Sequence, residues 1–187
     1  RFWVLYLIIG FLTTPTFAKQ FYFKKYQVEK GLSHNTVWCI LQDSYGFMWF
    51  GTSDGLNRFD GQKFKVFRNE IQDINSLGNN SVQTLFENDD GNIWIGTSSG
   101  IYIYTRSNNH FKHFDKKTKY DVSISSEVKK IIKTQKGQIW IATLGQGIFI
   151  YDPQTDDLKQ NSQYSPFVWD ICEDESHTIY SSTLQEG

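Results

Sequence analysis

A pattern of about 45 residues recurs along this chain, and it limits the possible folds more than any other feature. The first copy begins at Asn35 and contains Trp-Phe-Gly-Thr at 49–52. The second copy contains Trp-Ile-Gly-Thr at 94–97, the third has Trp-Ile-Ala-Thr at 140–143, and a fourth begins at 166. Such repetition indicates a fold that is built from similar units packed on one another.

Each copy holds four short segments rich in β-branched and aromatic residues, separated by turns of Gly, Asp, Asn and Ser. This arrangement is typical of a four-stranded antiparallel meander, which is the unit that forms one blade of a β-propeller. We therefore expect an all-β fold with about three and a half four-stranded antiparallel blades of an incomplete ring. The blades are expected at 32–68, 77–115 and 122–160, with a partial fourth blade at 165–187.

Five residues that recur at equivalent places are expected to form the structural core of the repeat: Trp49, Trp94, Trp140, Gly51 and Gly96. The tryptophans fall in the second strand of each unit, where a large ring can pack against the neighbouring sheet. An indole could instead serve as a stacking platform for a sugar. Its presence in every unit favours a role in the core.

The first 31 residues precede the first blade and are expected to have two roles. Residues 1–18 read as a signal peptide, because the apolar run at 2–12 is too short to span a bilayer and Thr-Phe-Ala at 16–18 resembles a cleavage site. Export would place the mature protein in the periplasm of a bacterium with two membranes. Residues 19–31 are expected to supply the closing outer strand of the last blade, whose other strands would follow residue 187.

Composition excludes several classes of protein. The formal net charge of −1 gives no bias toward polyanions, so a nucleic-acid partner is not expected. A hydrophobic content of 39% is enough for a sizeable core, so we expect a globular chain. Cys39 and Cys172 each lie in an apolar run, and we expect both to be small buried hydrophobic residues rather than a disulfide.

The repeats resemble those of the two-component regulator propeller family. The match is strongest at 43–60, which reads Asp-Ser-Tyr-Gly-Phe-Met-Trp-Phe-Gly-Thr-Ser-Asp-Gly-Leu-Asn-Arg-Phe-Asp, and at 92–100. The later copies depart from the pattern, with Ala142 and Ser182 in place of the glycine and Tyr180 in place of the tryptophan. These departures leave the fold intact and make the later blades less regular.

The resemblance implies a function for the longer protein from which such repeats come. Family members carry these propellers in the periplasmic sensor region of histidine kinases, often hybrid ones that regulate polysaccharide use through a phosphorelay. A membrane-spanning helix and the kinase would then follow residue 187, and the full-length receptor would form a homodimer. The implied partner is an oligosaccharide or another small periplasmic solute.

Candidate ligand-binding residues are those expected at one face of the ring, where loops entering the inner strands meet the turns between second and third strands. They are His34, Asp54, Asn80, Gln146 and Trp169. Amides, hydroxyls and an exposed indole suit a neutral sugar, which offers hydroxyls and flat ring faces. The same residue types also satisfy the requirements of turns, and that interpretation stays open for each of them.

No catalytic or metal-binding pattern is found in the sequence. The four histidines are dispersed, and the run Asn-Asp-Asp-Gly at 88–91 lacks the remaining ligands of a calcium loop. We expect no cofactor, no metal and no catalytic residues in this part of the protein. Two alternatives to a sensor remain at this point: a propeller enzyme such as a lyase, and an extracellular scaffold or adhesin.

Overall fold

The computed structural model describes residues 22–161, 163 and 165–184. They form a short 3-10 turn (Val28–Lys30) and fourteen strands. The first sheet contains β1 (Val37–Gln42), β2 (Met48–Thr52), β3 (Gly55–Phe59) and β4 (Phe64–Phe67), and the second contains β5 (Val82–Glu87), β6 (Ile93–Thr97), β7 (Gly100–Thr105) and β8 (His110–His113). The third contains β9 (Glu127–Lys133), β10 (Ile139–Leu144), β11 (Gly147–Asp152) and β12 (Asp157–Asn161), and the fourth contains β13 (Val168–Glu173) and β14 (Ile179–Thr183).

Every sheet is an antiparallel meander in which consecutive strands pair. The first strands of consecutive sheets contact one another, so β1, β5, β9 and β13 form the inner edge of an arc. The fourth strands make no comparable contact among the described residues, which places them at the outside. This is the radial arrangement of propeller blades, and it confirms the expected fold class of three four-stranded blades followed by a partial one.

The threonine of the repeated Trp-x-Gly/Ala-Thr motif fixes the turn that follows it. Thr52 Oγ1 donates a hydrogen bond to the carbonyl oxygen of Gly55 at 2.9 Å. The same bond joins Thr97 to Gly100 at 2.9 Å and Thr143 to Gly147 at 2.7 Å. The third turn is one residue longer and keeps the bond, so the insertion does not disturb the pairing of β10 with β11.

The tryptophans pack where one blade meets the next. Trp49 is fully buried in the cluster between the first two blades, and Trp94 is buried between the second and third. Trp140 is only partly buried, because the fourth sheet has just two described strands to cover it. The core therefore consists of three apolar layers, each between a pair of adjacent blades.

Gly51 and Gly96 allow this close approach of adjacent blades. A Cβ atom at Gly51 would lie 2.4 Å from Cys39 Sγ and 2.5 Å from Val82 Cγ1 of the next blade. At Gly96 a Cβ would lie 2.4 Å from Thr84 Cγ2 and 2.8 Å from Val128 Cγ1 of the next blade. Real Cβ atoms do not approach other atoms so closely, so a side chain at either position would force the inner strands apart.

Two sheet faces have no neighbouring blade among the described residues. Ile40 is 59% exposed, whereas Ile131 and Ile171, at the equivalent place in later blades, are 4% and 1% exposed. Cys172 is exposed on the opposite side of the arc, so the expectation that both cysteines are buried was wrong for this residue. The physical reason is that its face points away from the third blade. Cys39 faces the second blade and is partly buried, and neither thiol forms a disulfide.

The segment expected to close the ring is not a strand in this structure. Residues 22–27 have no regular secondary structure, and Val28–Lys30 form a single 3-10 turn. A strand at this place needs a partner strand from the last blade, because an isolated strand leaves its backbone groups unpaired. The closing role of 19–31 stays a prediction, and the signal peptide at 1–18 lies outside the described residues.

Candidate functional site

Four side chains converge at the inner edge of the arc because each inner strand contains a β-bulge at the same place. In the first blade Val37 pairs with Thr52 and Cys39 with Gly51, so Trp38 has no partner in the pairing. The same irregularity recurs in the next three blades. The four bulged residues, which we call the channel tier, are Trp38, Gln83, Lys129 and Trp169. A bulge redirects the side chain of its extra residue, which here turns toward the axis of the ring.

Lys129 contacts the other three members of the channel tier, so these contacts join all four blades. Its Nζ donates hydrogen bonds to Gln83 Oε1 at 3.1 Å and to Glu127 Oε1 at 2.9 Å. The same ammonium lies 4.5 Å from the centre of the Trp169 ring and 5.9 Å from that of Trp38. Its side chain is only 13% exposed, so the charge is well shielded and is balanced by Glu127.

The two indoles of the tier are held in place but remain open to solvent. Trp38 Nε1 donates a hydrogen bond to Ser53 Oγ at 3.0 Å, which fixes the ring against the turn between β2 and β3. Trp38 is 53% exposed and Trp169 is 45% exposed, in contrast to the buried Trp49. The tier therefore presents two ordered aromatic surfaces beside an amide and an ion pair.

Asp54 and Asn80, two of the predicted ligand contacts, lie together between the first and second blades. Asp54 forms an ion pair with Arg68 at 3.1 Å, and Asn80 Nδ2 donates to Asp54 Oδ1 at 3.4 Å. Asn80 Oδ1 accepts a hydrogen bond from the Asn69 backbone at 2.7 Å, and the Asn80 carbonyl oxygen accepts one from Gly55 N at 2.7 Å. These contacts join the loops of adjacent blades. A role in ligand binding stays a prediction.

Gln146 and His34 also use polar atoms in contacts within the chain. Gln146 Oε1 accepts hydrogen bonds from the backbone of Ser125 and Ser126, both at 2.9 Å, and its Nε2 donates to the Ser123 carbonyl oxygen at 3.0 Å. His34 Nδ1 accepts a hydrogen bond from Thr36 N at 3.0 Å. Of the five predicted contacts, Trp169 is the one that the structure places in the channel tier.

Sequence reasoning missed Gln83 and Lys129. Both lie within an inner strand, where the alternation of apolar and polar residues gives no reason to single them out. A signal was present nonetheless, because the residue after the first valine of each inner strand is Trp, Gln, Lys and Trp in the four repeats. A position that varies in this way inside a regular repeat is not needed for the shared core, and its side chains are free to serve a ligand.

The described part of the chain shows neither a metal centre nor a membrane-spanning helix. No group of three or more His, Cys, Asp or Glu side chains within residues 22–161, 163 and 165–184 is arranged to hold a metal ion. Over the same residues, no helix has the length and apolar character that crossing a bilayer requires.

Comparison with known protein families finds a match for two of the repeats. The pattern of the two-component regulator propeller matches residues 31–54 and 76–99, which cover the inner strand and the tryptophan strand of the first two blades. Both segments are therefore similar to two-component regulator propeller repeats. This match confirms the sequence resemblance, and the two matched segments contain the bulged inner strands and the Trp-x-Gly-Thr motifs of the first two blades.

Two proteins that are similar in sequence or structure are much longer than this chain. A histidine kinase of Formosa agariphila is 41% identical over 73 residues, which are 38% of this chain and 5% of that protein. The crystal structure of the extracellular domain of a putative hybrid two-component system from B. thetaiotaomicron is 27% identical, with a TM-score of 0.78. It covers 86% of this chain, and the chain spans 24% of its length.

The fold is also shared with an enzyme. A virginiamycin B lyase from Staphylococcus aureus matches with a TM-score of 0.58 over 79% of this chain and 49% of the lyase. The identity is 13%, so the likeness extends to the propeller fold alone.

Proposed function

We propose that this chain is the periplasmic, ligand-sensing propeller of a membrane-spanning hybrid two-component sensor histidine kinase. The observation that carries the proposal is the likeness to the extracellular domain of a putative hybrid two-component system, which extends over 86% of the chain at 27% identity. A match to a histidine kinase, at 41% identity over 73 residues, supports it. Kinase and membrane-spanning segments would then belong to other parts of the longer protein.

The ligand would be an oligosaccharide or another small solute of the periplasm. The support for this class is the chemistry of the inner edge, where two exposed indoles lie next to an amide and an ion pair. Sugars offer hydroxyl groups and apolar ring faces, which these side chains complement. The propeller itself would catalyse nothing, and the output would be a phosphorelay that changes transcription.

Signalling requires that the ligand bind two states of the receptor with different affinities. In a homodimeric receptor, those states would differ in how the two extracytoplasmic regions are arranged. The propeller would contribute a rigid surface, since its blades are joined by continuous apolar layers. Binding at the inner edge would then favour one arrangement of the dimer over the other.

The proposal is tested on the gene and on the intact extracytoplasmic region. We expect the complete reading frame to encode further repeats, an apolar segment of about 20 residues and a histidine-kinase core. We also expect the purified extracytoplasmic region to show a binding heat or a raised unfolding temperature with at least one oligosaccharide pool. A reading frame that closes the ring without a membrane-spanning segment would overturn the kinase assignment, and no response to any pool would overturn the ligand class.

A further inference from the structure

We propose that the channel tier is a subsite for the ring of an uncharged saccharide, which stacks on Trp38 and Trp169 and hydrogen-bonds to Gln83 and the Lys129–Glu127 pair. This inference rests on the proposed sensing function and adds the place of binding and the charge of the ligand. Its support comes from three observations: the indoles are exposed, their orientation is fixed, and the charge of Lys129 is balanced by Glu127.

The exposed indoles have no role in the core. The layers between blades are filled by the tryptophans of the second strands and by apolar residues of the inner strands, and neither Trp38 nor Trp169 belongs to them. At the equivalent places the second and third blades carry Gln83 and Lys129, so the fold does not require an aromatic residue there. Two aromatic faces held open to solvent beside polar groups are the usual components of a site for sugar rings.

The orientation of both indoles is set before any ligand arrives. The hydrogen bond to Ser53 fixes Trp38, and the ammonium of Lys129 lies over the ring of Trp169 at 4.5 Å from its centre. Ordered aromatic side chains lose little conformational entropy on binding, which favours affinity. Because the same ammonium lies 5.9 Å from the Trp38 ring, the two indoles are close enough for one short oligosaccharide to contact both.

The charges at the tier balance each other, and this favours an uncharged ligand. Lys129 is its one cation, and Glu127 at 2.9 Å balances it, while Gln83 accepts a second hydrogen bond from the ammonium. At the rim nearby, Asp54 and Arg68 balance each other in the same way. An acidic sugar would have to displace Glu127 from the ammonium to gain a partner, whereas a hydroxyl group can donate to Glu127 and leave the ion pair intact.

The inference is tested by calorimetry on the intact extracytoplasmic region. One set of probes contains hexasaccharides of glucose, xylose and mannose, and a matched set contains oligogalacturonate and oligoalginate. For the neutral probe that binds, we expect Trp38→Ala and Trp169→Ala each to weaken binding by about tenfold or more, with Trp38→Phe and Trp169→Phe in between. Tyr120→Ala is the matched control, because Tyr120 is 77% exposed and lies outside the tier. It should leave the affinity unchanged.

Each of the other outcomes would overturn a different part of the proposal. Unchanged affinity in both tryptophan variants would overturn this subsite and leave the sensing function standing. Binding of the acidic probes alone, weakened by Lys129→Met, would overturn the uncharged class. If no saccharide of either set binds, the proposed ligand class and this subsite both fail. Thermal unfolding of every variant, compared with the unsubstituted protein, identifies any loss that is due to misfolding.

Discussion

At the scale of single residues, the buried carboxylate of Asp43 joins the first two blades. It accepts hydrogen bonds from Trp49 Nε1 at 2.7 Å and from Phe47 N at 2.9 Å, and it pairs with Arg106 of the second blade at 3.0 Å. The guanidinium also contacts Glu87 at 3.5 Å. A charge that is buried in this way is stable only while all its partners remain, so the group ties the two blades to a fixed register.

Removing the positive partner should destabilise the propeller strongly. Arg106→Met leaves the Asp43 carboxylate buried without its cation, and we expect the free energy of unfolding to fall by about 3 kcal/mol. Urea denaturation of the intact extracytoplasmic region measures the change. Arg68→Met is the control, because its ion pair with Asp54 is about half exposed and should contribute less than about 1 kcal/mol. Equal effects of the two substitutions would contradict the prediction.

The same carboxylate should make stability depend on pH. Burial alone would raise the pKa of Asp43, but the hydrogen bonds from Trp49 and Arg106 outweigh it and hold the pKa below the ordinary 3.8. The stabilisation is therefore complete above pH 3.8 and is lost as the pH falls through the lower pKa of the folded state. We expect the difference in stability between the unsubstituted protein and Asp43→Asn to be constant above pH 3.8 and to shrink over the acidic range below it. A constant difference over that range would show that ionisation of Asp43 is not involved.

At the scale of strands, the last residue of the inner strand contacts the preceding blade in the second, third and fourth blades. Glu87 accepts hydrogen bonds from Ser44 N at 2.8 Å and Ser44 Oγ at 2.6 Å, in the turn between β1 and β2. Glu173 accepts one from Gln135 N at 2.8 Å in the equivalent turn of the third blade. The contact between the second and third blades is made with opposite chemistry, since Lys133 pairs there with Asp89.

The Lys133–Asp89 ion pair should be replaceable by the Glu–Ser contact that joins the first two blades. Lys133→Glu places a carboxylate next to Asp89, and we expect repulsion to lower the free energy of unfolding by about 1 kcal/mol or less, because Asp89 is largely exposed. Adding Asp89→Ser recreates the Ser44–Glu87 contact and should restore most of the loss. Thermal unfolding of the two single variants and the double variant measures the coupling. Strictly additive effects would mean that the two positions act independently.

The sequence allowed the strands, their order and the tryptophan layers to be predicted, because each follows from local turns and from a pattern repeated four times. The channel tier and the contacts between turns could not be predicted in the same way. Lys129 meets Gln83, Trp38 and Trp169 only after four sheets have been placed around an axis, and Glu87 finds Ser44 only across a blade boundary. The strand expected within 19–31 was predicted from its place before the first blade, which corresponds to that of 64–67 before the second, whereas strand formation also depends on a partner strand.

At the scale of the whole molecule, the arc has two apolar faces that a complete ring would cover. Ile40 lies on one of them, and Cys172, Tyr180 and Leu184 are exposed at the other end. The residues equivalent to Cys172 in the earlier blades are Leu41, Phe86 and Ile132, and each of them packs against the next blade. We therefore predict that a further blade packs on Cys172 when the ring is complete.

Alkylation of the two cysteines measures this ring closure. In dilute residues 19–187 alone, we expect iodoacetamide to modify Cys172 and spare Cys39, because burial raises the pKa of the Cys39 thiol to about 12 and keeps it protonated. In the intact extracytoplasmic region both thiols should be protected, since the next blade would exclude the reagent from Cys172. Unfolding in urea, which should expose both thiols, provides the control for each sample. Mass spectrometry of the peptides reports the fraction modified, and equal modification of Cys172 in the two folded samples would mean that no blade packs on this face.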